Sequence, residues 1–335
     1  GVYGSNVVEV QILSTAPKIM SIVEFIKKVP KTELHLHIEG TLEPNQMFEL
    51  AKRNNISIPF QNIQEVKAAY NFSNLESFLK IYYEGAKVLI KEEDFFELTW
   101  AYALKCKEDN IVHTEIFFDP QTHVNRGIDF ETVINGIYKA LQKANREFGL
   151  SFKIIMCFLR HLSEKSGFEI LDQALIHKDK IFGVGLDSSE IGNPPKKFEK
   201  LFKKSIEEGF LTFAHAGEEG PPEYIWDSIN LLKVKRIDHG VQCLHDKKLV
   251  EKLRKNKIPL TVCPLSNIKL HVFDDLKEHN LKKMLDEKLM VMVNSDDPAY
   301  FGGYLNKNLI EIQSALGLSI DDIKTLIINS FKSSF

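Results

Sequence analysis

Short apolar segments alternate along the chain with segments in which apolar positions recur at helical spacing. Most of the apolar segments are hydrophobic at every position and rich in β-branched and aromatic residues, as is typical of parallel strands covered on both faces. The predicted strands are residues 33–38, 112–118, 152–159, 181–187, 210–215, 236–239, 259–263 and 290–294. Eight strand-then-helix repeats predict an α/β fold, a (β/α)8 TIM-type barrel. A doubly wound sheet is less favoured, because no Gly-x-Gly-x-x-Gly turn follows the first strand.

The connection between the first two predicted strands, residues 40–111, is longer than the others and contains several helical patterns. Active sites of such barrels lie at the carboxyl ends of the strands, so a helical insertion after strand one could act as a lid. The apolar stripe of residues 74–82, with Phe78, Leu79 and Tyr82, could equally well only pack a helix against the barrel. The pattern leaves both interpretations open.

The two ends of the chain differ from its middle. Residues 1–19 have no starting methionine and no periodic pattern, so we interpret them as a leader or an added extension. Residues 20–335 are then predicted to form a single barrel domain. The sequence stops at Phe335 inside a helical pattern without a C-capping signal, and we expect the native chain to continue.

Composition and charge exclude several classes of function. The formal net charge of −3 offers no basic footprint for a nucleic acid. No apolar stretch approaches the roughly 20 residues that a membrane-spanning helix requires. The four cysteines are far apart and form no Cys-x-x-Cys pair, which favours a reduced, cytoplasmic protein without a disulfide framework.

Polar residues that suit a metal follow several of the predicted strands. His35 and His37 are two residues apart on a strand, so both imidazoles face the same side. Such a pair alone is a weak signal, but His215 ends the fifth strand and Asp296 follows the eighth. Because the carboxyl ends of barrel strands converge, these four residues are predicted to bind one Zn²⁺ per chain. Three histidines and one carboxylate leave a position for water, as a catalytic zinc requires.

Further polar residues beside this cluster suggest hydrolytic chemistry. Bound zinc lowers the pKa of water from about 15.7 towards about 7, and His239 and Asp296 are candidates to orient that water and to accept its remaining proton. Glu218, three residues after His215, could donate a proton if burial raises its pKa; it could instead support a ligand histidine or lie on the surface. Asp297 is predicted to hydrogen-bond substrate where the chain turns at Pro298, with capping of the next helix as the alternative.

The polar motifs, in this order, closely resemble those of the adenosine and adenine deaminase family, zinc-dependent barrels of the amidohydrolase type. The matching segments are residues 32–40, 215–218, 236–240, 263–267 and 293–298. The resemblance implies that His35, His37, His215 and Asp296 bind zinc, that Glu218 protonates purine N1, that His239 orients the attacking water and that Asp297 contacts N7. The implied reaction replaces the 6-amino group of a purine with oxygen and releases ammonia.

Two carboxylates bear on which purine is the substrate. Glu39 stands where nucleoside deaminases have an aspartate that meets the ribose, and Glu190 stands where they have a glycine. A carboxylate there could accept a hydrogen bond from N9–H of a free base and obstruct a sugar, although both could be solvated loop acids. We therefore predict adenine as the substrate and hypoxanthine as the product, with adenosine or another 6-substituted purine as the alternative.

A different class of protein, a barrel that binds ligand without catalysis, is disfavoured because none of the expected polar positions is missing. The only predicted partner is a small-molecule purine, and the sequence does not indicate an oligomeric state.

Overall fold

A closed ring of eight parallel strands forms the centre of the computed structural model, which describes residues 20–335. The strands are β1 (Lys31–Glu33), β2 (Ile111–Phe118), β3 (Ser151–Leu159), β4 (Gly183–Asp187), β5 (Leu211–Ala216), β6 (Arg236–His239), β7 (Leu260–Val262) and β8 (Val291–Val293). Each pairs in parallel with the next along the chain. The predicted TIM-type barrel is confirmed. The interpretation of residues 1–19 as a leader lies outside the described residues.

Helices surround the barrel and follow most of its strands. They are α1 (Ile22–Lys28), α2 (Pro44–Asn54), α3 (Ile63–Ala69), α4 (Leu75–Ala86), α5 (Glu92–Glu108), α6 (Pro120–Val124), α7 (Phe130–Phe148), α8 (Glu164–Ile176), α9 (Glu199–Glu207), α10 (Pro222–Asn230), α11 (Lys247–Asn256), α12 (Pro264–Lys269), α13 (Leu281–Asp286), α14 (Pro298–Phe301), α15 (Leu305–Leu316) and α16 (Ile320–Ser333). Short 3₁₀ helices span Glu39–Thr41, Pro195–Phe198, Val241–His245 and Leu276–Glu278. Within residues 20–335, no helix combines the length and apolar character needed to cross a membrane.

The long connection between β1 and β2 contains the four helices α2 to α5. Helix α4 begins where the sequence pattern predicted, because the side chain of Asn74 accepts a hydrogen bond from the backbone N–H of Ser77 at 2.9 Å. A side chain that satisfies one of the free N–H groups of the first turn is a common start signal.

The first strand differs from its prediction. Residues 33–38 were expected to form it, but the regular ladder covers only Lys31–Glu33. One reason is that the backbone N–H of Leu34 donates to the side-chain oxygen of Asn294, at 2.8 Å, where a ladder would use a backbone carbonyl. The chain beyond Glu33 is still held extended, but by isolated bonds.

Those isolated bonds close the barrel. The backbone N–H of Asp296 donates to the carbonyl of His35 at 3.2 Å, and the backbone N–H of His37 donates to the carbonyl of Asp296 at 3.0 Å. A further isolated bridge joins His37 to Phe117 in β2. The seam between the first and last strands therefore consists of the same residues that were predicted to bind metal.

The strands alternate between the interior of the barrel and the surrounding helices. Phe117, Ile155, Cys157 and Phe213 form a small buried cluster inside the ring, separate from the large core beneath the helices. Because side chains alternate along a strand, His215 follows Phe213 into the same interior.

The interior of the barrel also contains charged side chains. Arg236 of β6 is fully buried and donates to Glu115 of β2 at 2.6 Å and to the carbonyl of Leu34 at 2.7 Å. Its Nε also lies 3.4 Å from Asp238. Burial raises the pKa of Glu115, but the Arg236 guanidinium and His113 outweigh it and hold that pKa below its ordinary value. A buried carboxylate is tolerated here because its countercharge is hydrogen-bonded to it.

We expect Arg236→Leu to lower the free energy of unfolding of the metal-free protein by about 3–5 kcal/mol, because it removes the guanidinium that neutralises the buried Glu115 carboxylate. The measurement is equilibrium denaturation by urea, followed by circular dichroism.

The matched control is Arg254→Leu. Arg254 also pairs with a carboxylate, Glu287 at 3.1 Å, but both side chains are almost half exposed, so the change should be about 0–1 kcal/mol. Equal losses for the two variants would show that the interior ion pair contributes no more than a surface pair.

Candidate metal centre and active site

Three strands end at a residue with a positive φ angle, and this turn of the backbone lets two consecutive side chains point towards the same side of the chain. Ser188 after β4, His239 in β6 and Asp296 after β8 have φ angles of 74°, 66° and 64°. Consecutive residues of a strand normally point to opposite faces, and a positive φ in a residue other than glycine is strained. Here the turn allows Asp238 and His239, for example, both to point towards the centre of the barrel.

A cavity lies at these strand ends. Its polar side chains come from the ends of the strands, and its apolar wall comes mainly from helix α4. The lining residues are His37, Leu75, Phe78, Leu79, Tyr82, Tyr83, Asp119, Asp187, Ser188, His215, Glu218, His239, Leu270, Asp296, Asp297 and Phe301.

The predicted metal ligands converge at the base of this cavity. The Nε2 atoms of His37 and His215 are 3.1 Å apart, and Oδ1 of Asp296 lies 3.6 Å from Nε2 of His37. Nε2 of His35 is 3.3 Å from the same oxygen and has no hydrogen-bond partner. Ligand atoms on one zinc, each about 2.1 Å from it, lie about 3–3.5 Å from one another. These three distances are close to that range, although His37 is grouped with Asp296 and Asp297, or with Asp119 and Asp187, rather than with His35 and His215.

Hydrogen bonds determine which nitrogen of His35 is free for a metal. The Thr261 hydroxyl donates to Asp238 at 3.0 Å, so its oxygen must accept the bond from Nδ1 of His35 at 2.9 Å. Nδ1 then carries the proton, and the lone pair of Nε2 points towards the cluster. Such outer partners commonly orient metal-binding histidines.

The other two histidines also have carboxylates on their Nδ1 side. Nδ1 of His37 lies 3.5 Å from Asp187 and 4.0 Å from Asp119. Nδ1 of His215 lies 3.8 Å from Asp238. Burial and the neighbouring histidines lower the pKa of His215 well below its ordinary value, and a neutral imidazole is the form that binds metal.

His239 lies against the same cluster. Its Nε2 is 3.5 Å from Glu218 and 3.8 Å from Asp296. One group of side chains close enough to share a metal consists of His35, His215, His239 and Asp296, so distances alone do not separate a ligand role from a water-orienting role. Burial lowers the pKa of His239 to about 3, which keeps the ring neutral at neutral pH.

Glu218 is buried at the edge of the cavity, 3% exposed. Its Oε1 has no hydrogen-bond partner. Burial, followed by the negative charges of Asp296, Glu219 and Glu190, raises the pKa of this carboxyl well above its ordinary value. A carboxylic acid that keeps its proton at neutral pH can act as a general acid.

Asp297 also lines the cavity, beside Asp296, although the two are consecutive in the chain. The positive φ of Asp296 makes this possible. The alternative role, capping of helix α14, is not observed: Asp297 makes no side-chain capping bond, and its buried Oδ1 has no partner. Burial and the adjacent Asp296 raise its pKa well above the ordinary value.

Glu39 is buried next to the cavity, and its neighbour Asp119 lines the wall. Oε1 of Glu39 accepts a hydrogen bond from the backbone N–H of Asp119 at 3.2 Å and lies 2.9 Å from Nε2 of His123. Its Oε2 is buried and has no partner. Glu39 is therefore not a solvated loop acid.

Glu190, predicted to contact the purine, has a carboxylate that is bound by the loop after β5. It is only 1% exposed and does not line the cavity. Both of its oxygens accept hydrogen bonds from four consecutive backbone N–H groups, those of residues 217–220. The sequence could not show this, because the loops after β4 and β5 meet only in the folded barrel.

Sequence reasoning missed two carboxylates of the site, Asp119 and Asp187. Tyr82 donates to Asp119 at 3.1 Å. Burial and then the charge of Glu39 raise the pKa of Asp119, and burial and then the charge of Asp119 raise the pKa of Asp187 well above its ordinary value. The signal that identified His215 would have found them, since each is a polar residue at the carboxyl end of an apolar strand.

Helix α4 lines the cavity and packs against its surroundings at the same time. Phe78 and Tyr82 are buried, and the Phe78 ring lies 4.7 Å from that of Phe301. Tyr83 also lies within hydrogen-bond distance of Ser188, 3.0 Å. Helix α4 therefore does both things that the sequence left open: it covers the cavity, and it packs against the rest of the protein.

Comparison with known proteins adds independent information. The family model described as adenosine deaminase matches residues 30–335. A protein from Acinetobacter baylyi named adenine deaminase is 59% identical over 312 residues, which cover 93% of this chain and 94% of that protein.

Two solved structures share the fold. The crystal structure of an adenine deaminase from Arthrobacter aurescens is 47% identical, with a TM-score of 0.90, covering 91% of this chain and 94% of that one. An amidohydrolase from Burkholderia ambifaria with bound Zn is 26% identical, with a TM-score of 0.87, covering 96% and 90%. Since the family model spans nearly the whole described chain, and a relative at 59% identity matches 93% of it, the chain belongs to the adenosine deaminase family.

Proposed function

We propose that the protein is a zinc-dependent adenine deaminase, which converts adenine and water to hypoxanthine and ammonia. The observation that carries this proposal is the buried cluster of histidine nitrogens and the Asp296 carboxylate beside a second carboxyl, Glu218, with an unpartnered oxygen. Activation of water and delivery of a proton are the two requirements of hydrolytic deamination. Free adenine as the substrate is supported by relatives of that name at up to 59% identity.

The donor set supports zinc as the metal. His35, His37 and His215 offer imidazole nitrogens and Asp296 an oxygen, a combination that suits Zn²⁺. An amidohydrolase that shares the fold was solved with bound Zn. When bound, zinc supplies a water that ionises near neutral pH.

The remaining polar residues then have distinct tasks. Glu218, with its raised pKa, donates a proton to ring nitrogen N1, which makes C6 more susceptible to attack. His239, neutral because of burial, orients the attacking water. Asp297 holds N7 through its unpartnered oxygen; because N7 is an acceptor, the carboxyl must carry the proton in this bond.

The free base is favoured over the nucleoside by the walls of the cavity. Helix α4 covers it with Leu75, Leu79 and Tyr83. Glu39 lies behind this lining: its Oε1 accepts from the backbone N–H of Asp119, which lines the wall, and its Oε2 has no partner. We assign Glu39 to an N–H of the imidazole or pyrimidine edge, as the acceptor that a nucleoside could not satisfy. A cytoplasmic location and a lack of nucleic-acid partners remain part of this proposal.

The decisive experiment is the fall in ultraviolet absorbance with adenine and with adenosine, measured in parallel on zinc-loaded protein. We expect turnover of adenine and little turnover of adenosine. Comparable rates with adenosine would contradict the assigned substrate while leaving the hydrolytic mechanism intact.

The acid and the ligand should respond differently to substitution. Glu218→Gln should retain zinc but lose turnover of adenine by about 10²–10⁴-fold, because the amide cannot act as a general acid. His215→Ala should lose zinc and turnover together. Metal content by atomic absorption, measured beside the rate, separates the two; a metal-free Glu218→Gln protein would make Glu218 a ligand.

The hydrogen bond that orients His35 should contribute to metal affinity. Thr261→Val keeps the shape of the side chain but removes the acceptor for Nδ1, so we expect zinc affinity to fall by about 10–100-fold. Competition with a chromogenic chelator measures this affinity.

Thr212→Val is the control for that measurement. Thr212 is also buried in a barrel strand, but its hydroxyl donates to the carbonyls of Leu232 and Lys233, away from the cavity. Zinc affinity should remain unchanged, and an equal loss in both variants would refute a specific role for Thr261.

A further inference from the structure

The buried carboxylate of Glu190 is bound by backbone N–H groups of another loop of the same chain. It follows strand β4 by three residues and reaches the loop after β5. Oε1 accepts a hydrogen bond from the backbone N–H of Gly217 at 2.6 Å. Oε2 accepts from the N–H groups of Glu218, Glu219 and Gly220 at 3.1, 2.9 and 2.8 Å. The loop thus surrounds a carboxylate of its own chain as it would surround a bound anion.

The loop is shaped for this contact. Gly217 has a φ of 70°, which directs its N–H towards the same point as those that follow. At Gly220, an added Cβ would lie 2.6 Å from Oε1 of Glu190, closer than side-chain atoms normally approach. Both glycines that bound the loop are therefore required where the carboxylate is inserted.

The loop that Glu190 holds is the one that carries the proposed acid. The N–H of Glu218 is one of the four donors, and the Glu218 carbonyl accepts a bond from the side chain of Gln242 at 3.0 Å. On the other side, the buried guanidinium of Arg160 donates to the carbonyl of His215 at 2.7 Å. The peptide groups around Glu218 are therefore held by the side chains of Glu190, Gln242 and Arg160, while its own Oε1 remains without a partner.

We propose that Glu190 is a positioning residue for catalysis: its carboxylate binds the four N–H groups of residues 217–220 and so holds Glu218 in register with the substrate. Hydrogen bonds to a charged acceptor are about twice as strong as neutral ones, and four of them immobilise the peptide that carries the acid. This inference rests on the proposed role of Glu218, and it replaces a direct contact between Glu190 and the purine.

The first test is Glu190→Gln in the zinc-loaded protein. An amide presents only one acceptor atom to this loop, so at least one N–H loses its partner. A small displacement of an acid can cost about 10²-fold in rate; we expect kcat for adenine to fall by about 10–100-fold with KM and zinc content nearly unchanged. Gly220→Ala is a second variant, which displaces the carboxylate without removing any charge and should have the same effect.

A double-mutant cycle distinguishes action through Glu218 from a separate effect. If Glu190 acts by positioning the acid, Glu190→Gln should cause little further loss in the Glu218→Gln background. The same fold loss in both backgrounds would overturn the proposal. A raised KM with unchanged kcat, or new turnover of adenosine, would also overturn it, because either result indicates that Glu190 acts on the substrate directly.

Glu164→Gln is the matched control. Its carboxylate accepts hydrogen bonds from the backbone N–H groups of Lys200 and Leu201, both at 3.0 Å, away from the cavity. We expect this variant to keep the wild-type kcat. If Glu190→Gln and Gly220→Ala both lose zinc or unfold where Glu164→Gln does not, the contact is only structural and the positioning role is wrong.

The outcome also separates this inference from the proposed function. Full turnover of adenine by Glu218→Gln would refute the acid itself, whatever Glu190 does. Loss of turnover in Glu218→Gln, combined with equal effects of Glu190→Gln in both backgrounds, would refute only the positioning role.

Discussion

The seam between the first and last strands is the constraint on which the site depends. It consists of two backbone hydrogen bonds, from Asp296 to His35 and from His37 to Asp296. Closure of the barrel and convergence of three proposed metal ligands are therefore the same event. A chain that paired these strands in another register would move the side chains to the wrong face and separate the donors. This coupling explains how ligands more than 250 residues apart can be held within about 3–4 Å.

The charges beneath the site are arranged to support it. Arg236 joins Glu115 to Asp238, Asp238 accepts from Thr261, and Thr261 accepts from His35. This chain of bonds extends from an ion pair in the barrel interior to the ring of a proposed ligand. Without hydrogen-bond partners, such buried charges would cost several kcal/mol. The interior is therefore not only a packed core; it also determines the tautomer of His35.

Carboxylates around the cavity behave differently according to their partners. Glu218 and Asp297 each have an oxygen without a partner and a raised pKa, whereas the two oxygens of Glu190 accept four backbone hydrogen bonds. Unpartnered groups inside a protein are costly, and they persist where a ligand completes them. Glu218 and Asp297 therefore have an oxygen free to act on a substrate, whereas Glu190 shapes the loop beside the cavity.

The sequence alone determined the architecture and most of the polar cluster, because both depend on local patterns. Continuous apolar segments followed by helical periodicity predicted the barrel, and polar residues at strand ends pointed to His35, His37, His215 and Asp296. Two features could not be found in this way. The bounds of β1 depend on Asn294, which is 260 residues from Leu34 in sequence. Its side-chain oxygen, rather than a backbone carbonyl, accepts the hydrogen bond from the N–H of Leu34. The role of Glu190 depends on the loop after β5, which approaches only when adjacent strands pair. Local pattern shows which groups are available; only the tertiary structure decides which atoms they meet, because hydrogen bonds between loops depend on distances that no local spacing encodes.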